Sequence, residues 1–233
     1  MAMMYSILAK YYQALVNDDE SIHYYIDFIK DKINGCTTGI DFGCGTGEIT
    51  NAIASLGLTM DGVDLSQDMI DVGKTQYPSI HFIHGNMVDV ALCKSYDCAF
   101  CLVDTLNYLV DEADVIRFIH HVYDHLNPNG VFIMDAHHLN RLSEFSDEYI
   151  EEGQIEDAQY QWTIQSDGEY IDHHFAFYTP HGLISESHQQ RVYDPKWLNQ
   201  VLNDTGFTTS IYYDFLTQEP IDCEKYDFIG VKQ

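Results

Sequence analysis

Three glycines at alternate positions stand where a short, mainly apolar segment meets the start of a helical pattern. They are Gly43, Gly45 and Gly47, and Asp41 stands two residues before the first of them. Glycine permits positive φ and lets a ligand lie directly against the backbone. A helix that opens just after such a turn presents unpaired backbone N–H groups. This arrangement predicts a binding site for an adenosyl ligand.

Two other nucleotide-binding motifs fit this stretch poorly. Dinucleotide-binding folds use Gly-x-Gly-x-x-Gly, whereas the last glycine here comes one residue too early. A P-loop requires Lys followed by Ser or Thr at the start of the helix, and residues 39–50 contain no Lys or Arg. A ligand carried on phosphates is therefore disfavoured, and the carboxylate of Asp41 suits a cationic ligand. A glycine-rich turn without any ligand is the remaining alternative.

The pattern Asp-x-Gly-x-Gly-x-Gly resembles the first motif of the class I S-adenosylmethionine-dependent methyltransferases. The resemblance implies S-adenosylmethionine as cofactor and S-adenosylhomocysteine as product. It implies an α/β fold, a doubly wound, seven-stranded, mostly parallel sheet with an antiparallel C-terminal hairpin. The cofactor-binding residues that it implies in this motif are Asp41, Gly43, Cys44, Gly45, Thr46 and Gly47.

Further cofactor contacts are expected at the ends of the next predicted strands. Residues 58–64 form a strand-like segment that closes on Asp64, where a carboxylate can accept O–H bonds from both ribose hydroxyls. Asn86 stands where the family has an acid, and its side-chain carbonyl can accept one bond from the adenine amino group. A plain turn at Gly85-Asn86 is the alternative. The resemblance also implies cofactor contacts from Leu65, Ser66, Met69, Met87 and Leu102.

The residues that follow the fourth predicted strand are expected to meet the methyl acceptor. Residues 96–102 are almost wholly apolar, as in a central parallel strand buried on both faces. Ligands of open α/β sheets bind beyond the carboxyl ends of such strands. The predicted acceptor contacts are Asn107, Tyr108, His138 and Arg191, with a structural ion pair as the alternative for Arg191. The candidates for a general base are Tyr108, His137 and Asp104.

The first 34 residues are predicted to form two helices that cap the domain. Apolar and aromatic residues recur at helical spacing in residues 5–15 and 22–29. Such a pair cannot belong to the central sheet. In methyltransferases that resemble this chain, an N-terminal helical pair covers the cofactor, and Tyr12 aligns with a tyrosine of that pair.

Residues 140–193 differ in character from the rest of the chain. Turn signals separate three strand-like segments, residues 160–164, 169–178 and 184–193. These segments predict an antiparallel meander inserted into a methyltransferase domain made of residues 1–139 and 194–233. In the family such an insertion forms a lid or a dimer surface, so we expect a monomer or a homodimer formed through this segment.

Composition limits the partners of the chain. Thirty-seven acidic and eleven basic side chains give a formal charge of −26 over 233 residues, which repels nucleic acids and anionic membranes. No apolar run reaches the ~18 residues that span a bilayer, and we expect a cytoplasmic protein without a membrane partner. His121 and His125 have helical spacing for a metal, but no third ligand is apparent, so we predict no metal.

We therefore predict methyl transfer from S-adenosylmethionine to a small-molecule acceptor by in-line displacement. The acidic charge favours a neutral or cationic acceptor, such as an amine. An RNA methyltransferase is an alternative, although it should carry a basic face. A nucleotide-dependent oxidoreductase is disfavoured by the glycine spacing. A non-catalytic adenosyl-binding protein is a further alternative, because a cofactor site does not prove a competent acceptor pocket.

Overall fold

The computed structural model describes residues 19–155 and 157–233. Tyr12 and the first of the two predicted N-terminal helices lie outside the described residues. The second predicted helix is present as the first helix described. The helices are α1 (Asp19–Ile29), α2 (Glu48–Ala54), α3 (Gln67–Gln76), a short 3₁₀ helix (Thr105–Tyr108), α4 (Glu112–Asp124), α5 (Asn140–Glu144) and α6 (Pro195–Thr205).

Eleven strands are present in the described residues, seven in one sheet and four in another. The larger sheet contains β1 (Thr38–Phe42), β2 (Thr59–Asp64), β3 (His81–His84), β4 (Tyr96–Cys101), β5 (Leu126–His137), β10 (Phe207–Tyr213) and β11 (Lys225–Lys232). The smaller sheet contains β6 (Tyr149–Ile155), β7 (Ala158–Asp167), β8 (Tyr170–Thr179) and β9 (Gly182–Arg191).

The larger sheet has the strand order β10-β11-β5-β4-β1-β2-β3. Strands β1 to β5 pair in parallel, and β11 pairs antiparallel with both β5 and β10. The predicted fold class is therefore confirmed. The strand order reverses between β1 and β4, and open α/β sheets bind ligands beyond the carboxyl ends of the strands at such a point.

Apolar side chains cover both faces of the larger sheet. On one face Phe42 and Phe132 pack against Phe118 of α4. On the other face Phe100 belongs to a cluster with Ile53 of α2 and with residues of α1 and α3. Strands that are buried on both faces are almost continuously apolar. The apolar run of β4 therefore predicted a central strand correctly.

The smaller sheet is an antiparallel meander in the order β6-β7-β8-β9. The predicted inserted meander is confirmed, but the prediction of three strands was wrong, because β6 is a fourth. Strand β6 is an edge strand in which Tyr149 and Ile150 are about half exposed. An edge strand of this kind lacks the clear apolar alternation that identifies a half-buried strand.

Residues 128–130, Pro-Asn-Gly, have the composition of a turn but lie inside β5. Tyr96 of β4 pairs with Leu126, and the next pair is Cys98 with Val131, so the register shifts between them. Asn129 has positive φ at this irregularity. The turn residues therefore form a bulge within a longer strand rather than the loop before it.

Candidate active site

The glycine turn joins the carboxyl end of β1 to the start of α2. Gly43, Gly45 and Gly47 all have positive φ, between 54° and 85°. The N–H groups of Gly43 and Cys44 donate to the carbonyl of Val63 at 2.7 and 3.0 Å, which ties the turn to β2. The turn therefore has the left-handed geometry for which glycine is suited.

Asp64 organises this turn from the end of β2. Its Oδ2 accepts from the N–H of Gly45 at 2.8 Å, and its Oδ1 accepts from the N–H of Ser66 at 2.7 Å. Burial raises the pKa of Asp64, and these two N–H groups oppose that effect. Each oxygen keeps lone-pair capacity for a further donor, so the geometry fits a ribose diol.

Asp41 is a buried carboxyl at the carboxyl end of β1. It accepts from Thr50 Oγ1 at 2.5 Å. Burial raises the pKa of this carboxyl to about 7, although the Thr50 hydroxyl opposes the rise. A nearby cation favours the ionised form of a carboxyl. The group is therefore suited to respond to a positively charged ligand.

We expect the affinity for S-adenosylmethionine to rise with pH between about 5.5 and 7 if Asp41 faces its positive charge. A bound cation lowers the pKa of Asp41, so below pH 7 the carboxyl must release a proton when the ligand binds. The affinity can therefore rise by at most about tenfold for each pH unit. Calorimetric titrations of wild type and Asp41→Asn check this. Equal pH slopes in the two proteins would contradict a role for Asp41.

A cavity of about 520 Å³ opens beside the glycine turn. Five predicted cofactor residues line it, namely Asp41, Gly43, Cys44, Thr46 and Leu102. Its other walls include Tyr25 of α1, Phe215 between β10 and β11, and Lys225 at the start of β11. A cavity of this size lies within the range of small-molecule and cofactor sites.

The backbone beyond β4 is held by a buried carboxylate. Val103 and Asp104 both have φ near +57°, a conformation that a β-branched residue rarely adopts. Asp135 of β5 accepts from the N–H of Val103 at 2.9 Å and from that of Asp104 at 2.8 Å. It also accepts from the hydroxyl of Tyr25 at 2.9 Å. Asp135 therefore fixes the wall of the cavity that follows β4.

A cluster of opposite charges lies under this wall. Lys225 Nζ is 3.0 Å from Asp104 Oδ2 and 3.5 Å from Asp135 Oδ2, and it donates to Tyr25 OH at 3.0 Å. Burial raises the pKa of Asp104, but the neighbouring His137 and Lys225 outweigh burial and bring it to about 2. Asp104 is therefore a poor proton acceptor at neutral pH.

His137 joins this cluster to the inserted sheet. Its Nδ1 lies 3.3 Å from Asp104 Oδ1, and its Nε2 lies 2.8 Å from Gln190 Oε1 of β9. The same Gln190 oxygen is 3.0 Å from Nε2 of His173, and burial lowers the pKa of His173 to about 4. Trp162 Nε1 donates to the other nitrogen of His173 at 3.2 Å. Nε2 of His137 is thus hydrogen-bonded, whereas Nδ1 lies near Asp104 without a hydrogen-bond partner among the described residues.

The predicted acceptor contacts have different surroundings. Asn107 is fully buried and joins two elements, since it donates to the carbonyl of Arg191 at 2.7 Å and accepts from the N–H of His137 at 3.1 Å. The Arg191 guanidinium lies within 3.0 Å of Glu112 and Glu169, the structural ion pair that was the alternative. None of these side chains is among the described residues that line the cavity.

The other two predicted acceptor contacts, Tyr108 and His138, lie on opposite sides of the carboxyl end of β5. Tyr108 is 36% exposed at the end of the 3₁₀ helix, and its ring meets that of His188 of β9 edge to face. The ring of His138 lies against that of Tyr226, tilted by 40° with ring centroids 4.3 Å apart. Burial lowers the pKa of His138. Tyr108 therefore contacts the inserted sheet, and His138 contacts β11.

The predicted adenosine contacts lie at the ends of β2 and β3, outside the cavity. Ser66 is the N-cap of α3 and accepts from the N–H of Met69 at 3.3 Å. Met69 packs with Phe175 and Phe177 of the inserted sheet, whereas Leu65 is 54% exposed. Asn86 Oδ1 accepts from the N–H of Val88, as the turn alternative implied. Met87 packs against the core and is partly buried.

Sequence reasoning missed the residues that form the far wall of the cavity. Tyr25 was assigned only to a helix, and neither Asp135 nor Lys225 was among the predicted site residues. Asp135 ends a run of apolar residues in β5, and a charged residue in such a position is rarely buried without a partner. That signal is present in the sequence, but its partners are far apart along the chain.

Comparison with known proteins agrees with the fold and the glycine turn. Residues 40–130 match a family model described as a methyltransferase domain. A putative methyltransferase of Geobacillus sp. (strain WCH70) is 27% identical over 99% of this chain and 100% of its own length. The dTDP-3-amino-3,6-dideoxy-alpha-D-glucopyranose N,N-dimethyltransferase of Streptomyces fradiae is 26% identical over 41% of this chain and 38% of its own.

Among solved structures, an S-adenosylmethionine-dependent methyltransferase from Clostridium acetobutylicum ATCC 824 aligns with a TM-score of 0.82. It is 19% identical and covers 97% of this chain and 96% of its own. The glycine turn, the strand order and these matches support a class I S-adenosylmethionine-dependent methyltransferase. Its cofactor is S-adenosylmethionine.

Two other findings concern partners. Among residues 19–155 and 157–233, no helix is long and apolar enough to cross a membrane. The same residues contain no group of three or more His, Cys, Asp or Glu side chains arranged to hold a metal ion.

Proposed function

We propose that this methyltransferase transfers the methyl group to an amine of a small-molecule acceptor. The observation that carries the proposal is the charge of the cofactor cavity, which the acceptor must approach to reach the methyl group. Four acidic residues line it against one basic residue, Lys225; they are Asp41, Glu48, Asp214 and Glu224. A cleft lined mainly by one sign of charge concentrates ligands of the opposite sign. The Streptomyces fradiae relative, an N,N-dimethyltransferase named for an amino sugar, supports an amine acceptor.

The chemistry requires an acceptor nitrogen with a lone pair. Bound S-adenosylmethionine supplies an electrophilic methyl group on a sulfonium. As the nitrogen–carbon bond forms, the carbon–sulfur bond breaks, S-adenosylhomocysteine leaves, and the methylated ammonium then releases a proton to water. The protein contributes alignment and exclusion of water, because no covalent enzyme intermediate is needed.

The groups around the β4 end suit positioning better than proton transfer. The low pKa of Asp104 and the hydrogen bond between His137 Nε2 and Gln190 support an orienting role for both residues. Tyr108, beside His188, is the remaining candidate for contact with the acceptor. We assign no general base, since an amine can lose its proton in solution before it binds.

We further propose that residues 140–193 act as a lid over the acceptor. Support comes from contacts on both sides of the site, where Met69 of α3 packs against Phe175 and Phe177 and Asn107 bonds to Arg191. A lid of this kind excludes water from the transfer step. Proteolytic protection of this segment by cofactor and acceptor together would test it.

Transfer of a labelled methyl group to matched acceptors tests the proposed reaction. The panel pairs each amino sugar or polyamine with its hydroxyl counterpart, and includes phosphorylated sugars, carboxylic acids and RNA. We expect turnover with amines, none with the matching alcohols, and a fall in kcat/KM for cationic acceptors as salt is raised. Turnover only with phosphorylated acceptors, carboxylated acceptors or RNA would overturn the proposal.

A further inference from the structure

The strand order sets the direction in which the cofactor extends. Asp64 ends β2 and Asn86 follows β3, on one side of β1, whereas β4, β5 and β11 lie on the other side. A ligand whose ribose meets Asp64 therefore extends its amino-acid tail across the end of β1 towards β4 and β11. That tail carries an ammonium and a carboxylate.

Lys225 lies at this far end. It is the first residue of β11 and lines the cavity, as do Asp41 and Leu102 on the cofactor side. Among the described residues that line the cavity it is the only Lys or Arg. A carboxylate that enters this acidic space therefore has one side chain of opposite charge to meet.

The surroundings of Lys225 hold its ammonium in place and leave room for another acceptor. Two contacts are short, to Asp104 Oδ2 and to the hydroxyl of Tyr25, both at 3.0 Å. The third, to Asp135 Oδ2, is 3.5 Å and already at the limit of a hydrogen bond. An ammonium has three N–H donors, so the third can turn to a ligand carboxylate.

The charge of Lys225 is secured by its neighbours. Burial lowers its pKa, but the carboxylates of Asp104 and Asp135 outweigh burial and hold the pKa well above its usual value. These two carboxylates therefore favour the cationic form of the lysine.

We propose that Lys225 binds the α-carboxylate of S-adenosylmethionine, and that Tyr25 and Asp104 position its ammonium for this contact. The inference deepens the cofactor site described above and rests on the ribose-binding role of Asp64. It makes β11 a recognition element for the amino-acid tail, although no motif marks that strand in the sequence.

Calorimetry with two ligands tests this assignment. The probes are S-adenosylhomocysteine and its analogue that lacks only the carboxylate. We expect the wild type to bind S-adenosylhomocysteine about ten- to a hundredfold more tightly than the analogue, the effect of a hydrogen bond to a charged group. Lys225→Met should abolish this preference and leave the affinity for the analogue roughly unchanged.

Controls separate this role from a structural one. Lys74→Met removes an exposed lysine of α3 and should keep the wild-type preference, and Lys225→Arg should keep part of it. Equal wild-type affinity for the two probes would overturn the proposal whether or not Lys225→Met folds. So would an equal loss of both affinities in Lys225→Met. Failure of the wild type to bind either probe would instead refute the cofactor site itself.

Discussion

Replacing Asp135 by asparagine is expected to lower the free energy of unfolding by about 3 kcal/mol or more, the effect of breaking a buried ion pair. Both carboxylate oxygens accept backbone N–H groups, Oδ2 from Val103 and Oδ1 from Asp104. An asparagine must therefore direct its own NH₂ group at one of these donors. It also removes a negative charge beside Lys225. Urea unfolding at pH 7 measures the loss.

Asp227→Asn is the matched control for this variant. Asp227 pairs directly with Asp135 across β11 and β5 and is equally buried. Burial raises its pKa to about 8, so it is mostly protonated at pH 7. Its Oδ2 accepts from the N–H of Phe215, and Oδ1 has no hydrogen-bond partner among the described residues. We expect a change within about 1 kcal/mol, and equal losses in the two variants would contradict the account of Asp135.

Replacing Gly43 by alanine is expected to weaken S-adenosylhomocysteine binding at least about tenfold, equivalent to about 1.4 kcal/mol. A Cβ at this position would overlap Thr105 Cγ2 and lie 2.9 Å from Thr105 Oγ1. Thr105 lines the cavity next to Val103, so its displacement moves the wall of the site. The positive φ of 74° adds strain of about 1–2 kcal/mol. Calorimetry measures the affinity, and thermal unfolding measures the stability.

The variant Gly57→Ala is the control that separates the clash with Thr105 from the effect of backbone strain. Gly57 has φ of 103° in the turn after α2, and a Cβ there would meet no atom within 4 Å. We expect a similar loss of stability from strain but unchanged affinity for S-adenosylhomocysteine. Wild-type affinity in Gly43→Ala would contradict the close approach of the glycine turn to the ligand.

The sequence was sufficient for the parts of the fold that depend on local patterns. The glycine turn is formed by residues within one short stretch. Asp64 is the last residue of a strand that its apolar pattern identifies. Ser66 has the residue type and position of a helix N-cap, and it caps α3 in the structure. These features involve residues close in sequence, so a single pass along the chain can find them.

The charged cluster could not be predicted in the same way. Tyr25, Asp135 and Lys225 are separated by about a hundred residues at each step, and they meet only because β5 pairs with β11 and α1 packs on the sheet. The pairing of β5 with β11 decides that Asp135 and Lys225 meet, and no pattern in either strand reports the partner. Strand β6 was missed for a different reason, because six acidic residues within residues 147–157 surround its few apolar positions.

A crystal structure with S-adenosylhomocysteine bound is the most direct test of the account. We predict that its ribose hydroxyls bond to Asp64, that its sulfur lies near Leu102 beyond β4, and that its carboxylate lies within hydrogen-bond distance of Lys225 Nζ. A ligand bound in the reverse direction, or bound away from the carboxyl ends of β1, β2 and β4, would contradict it.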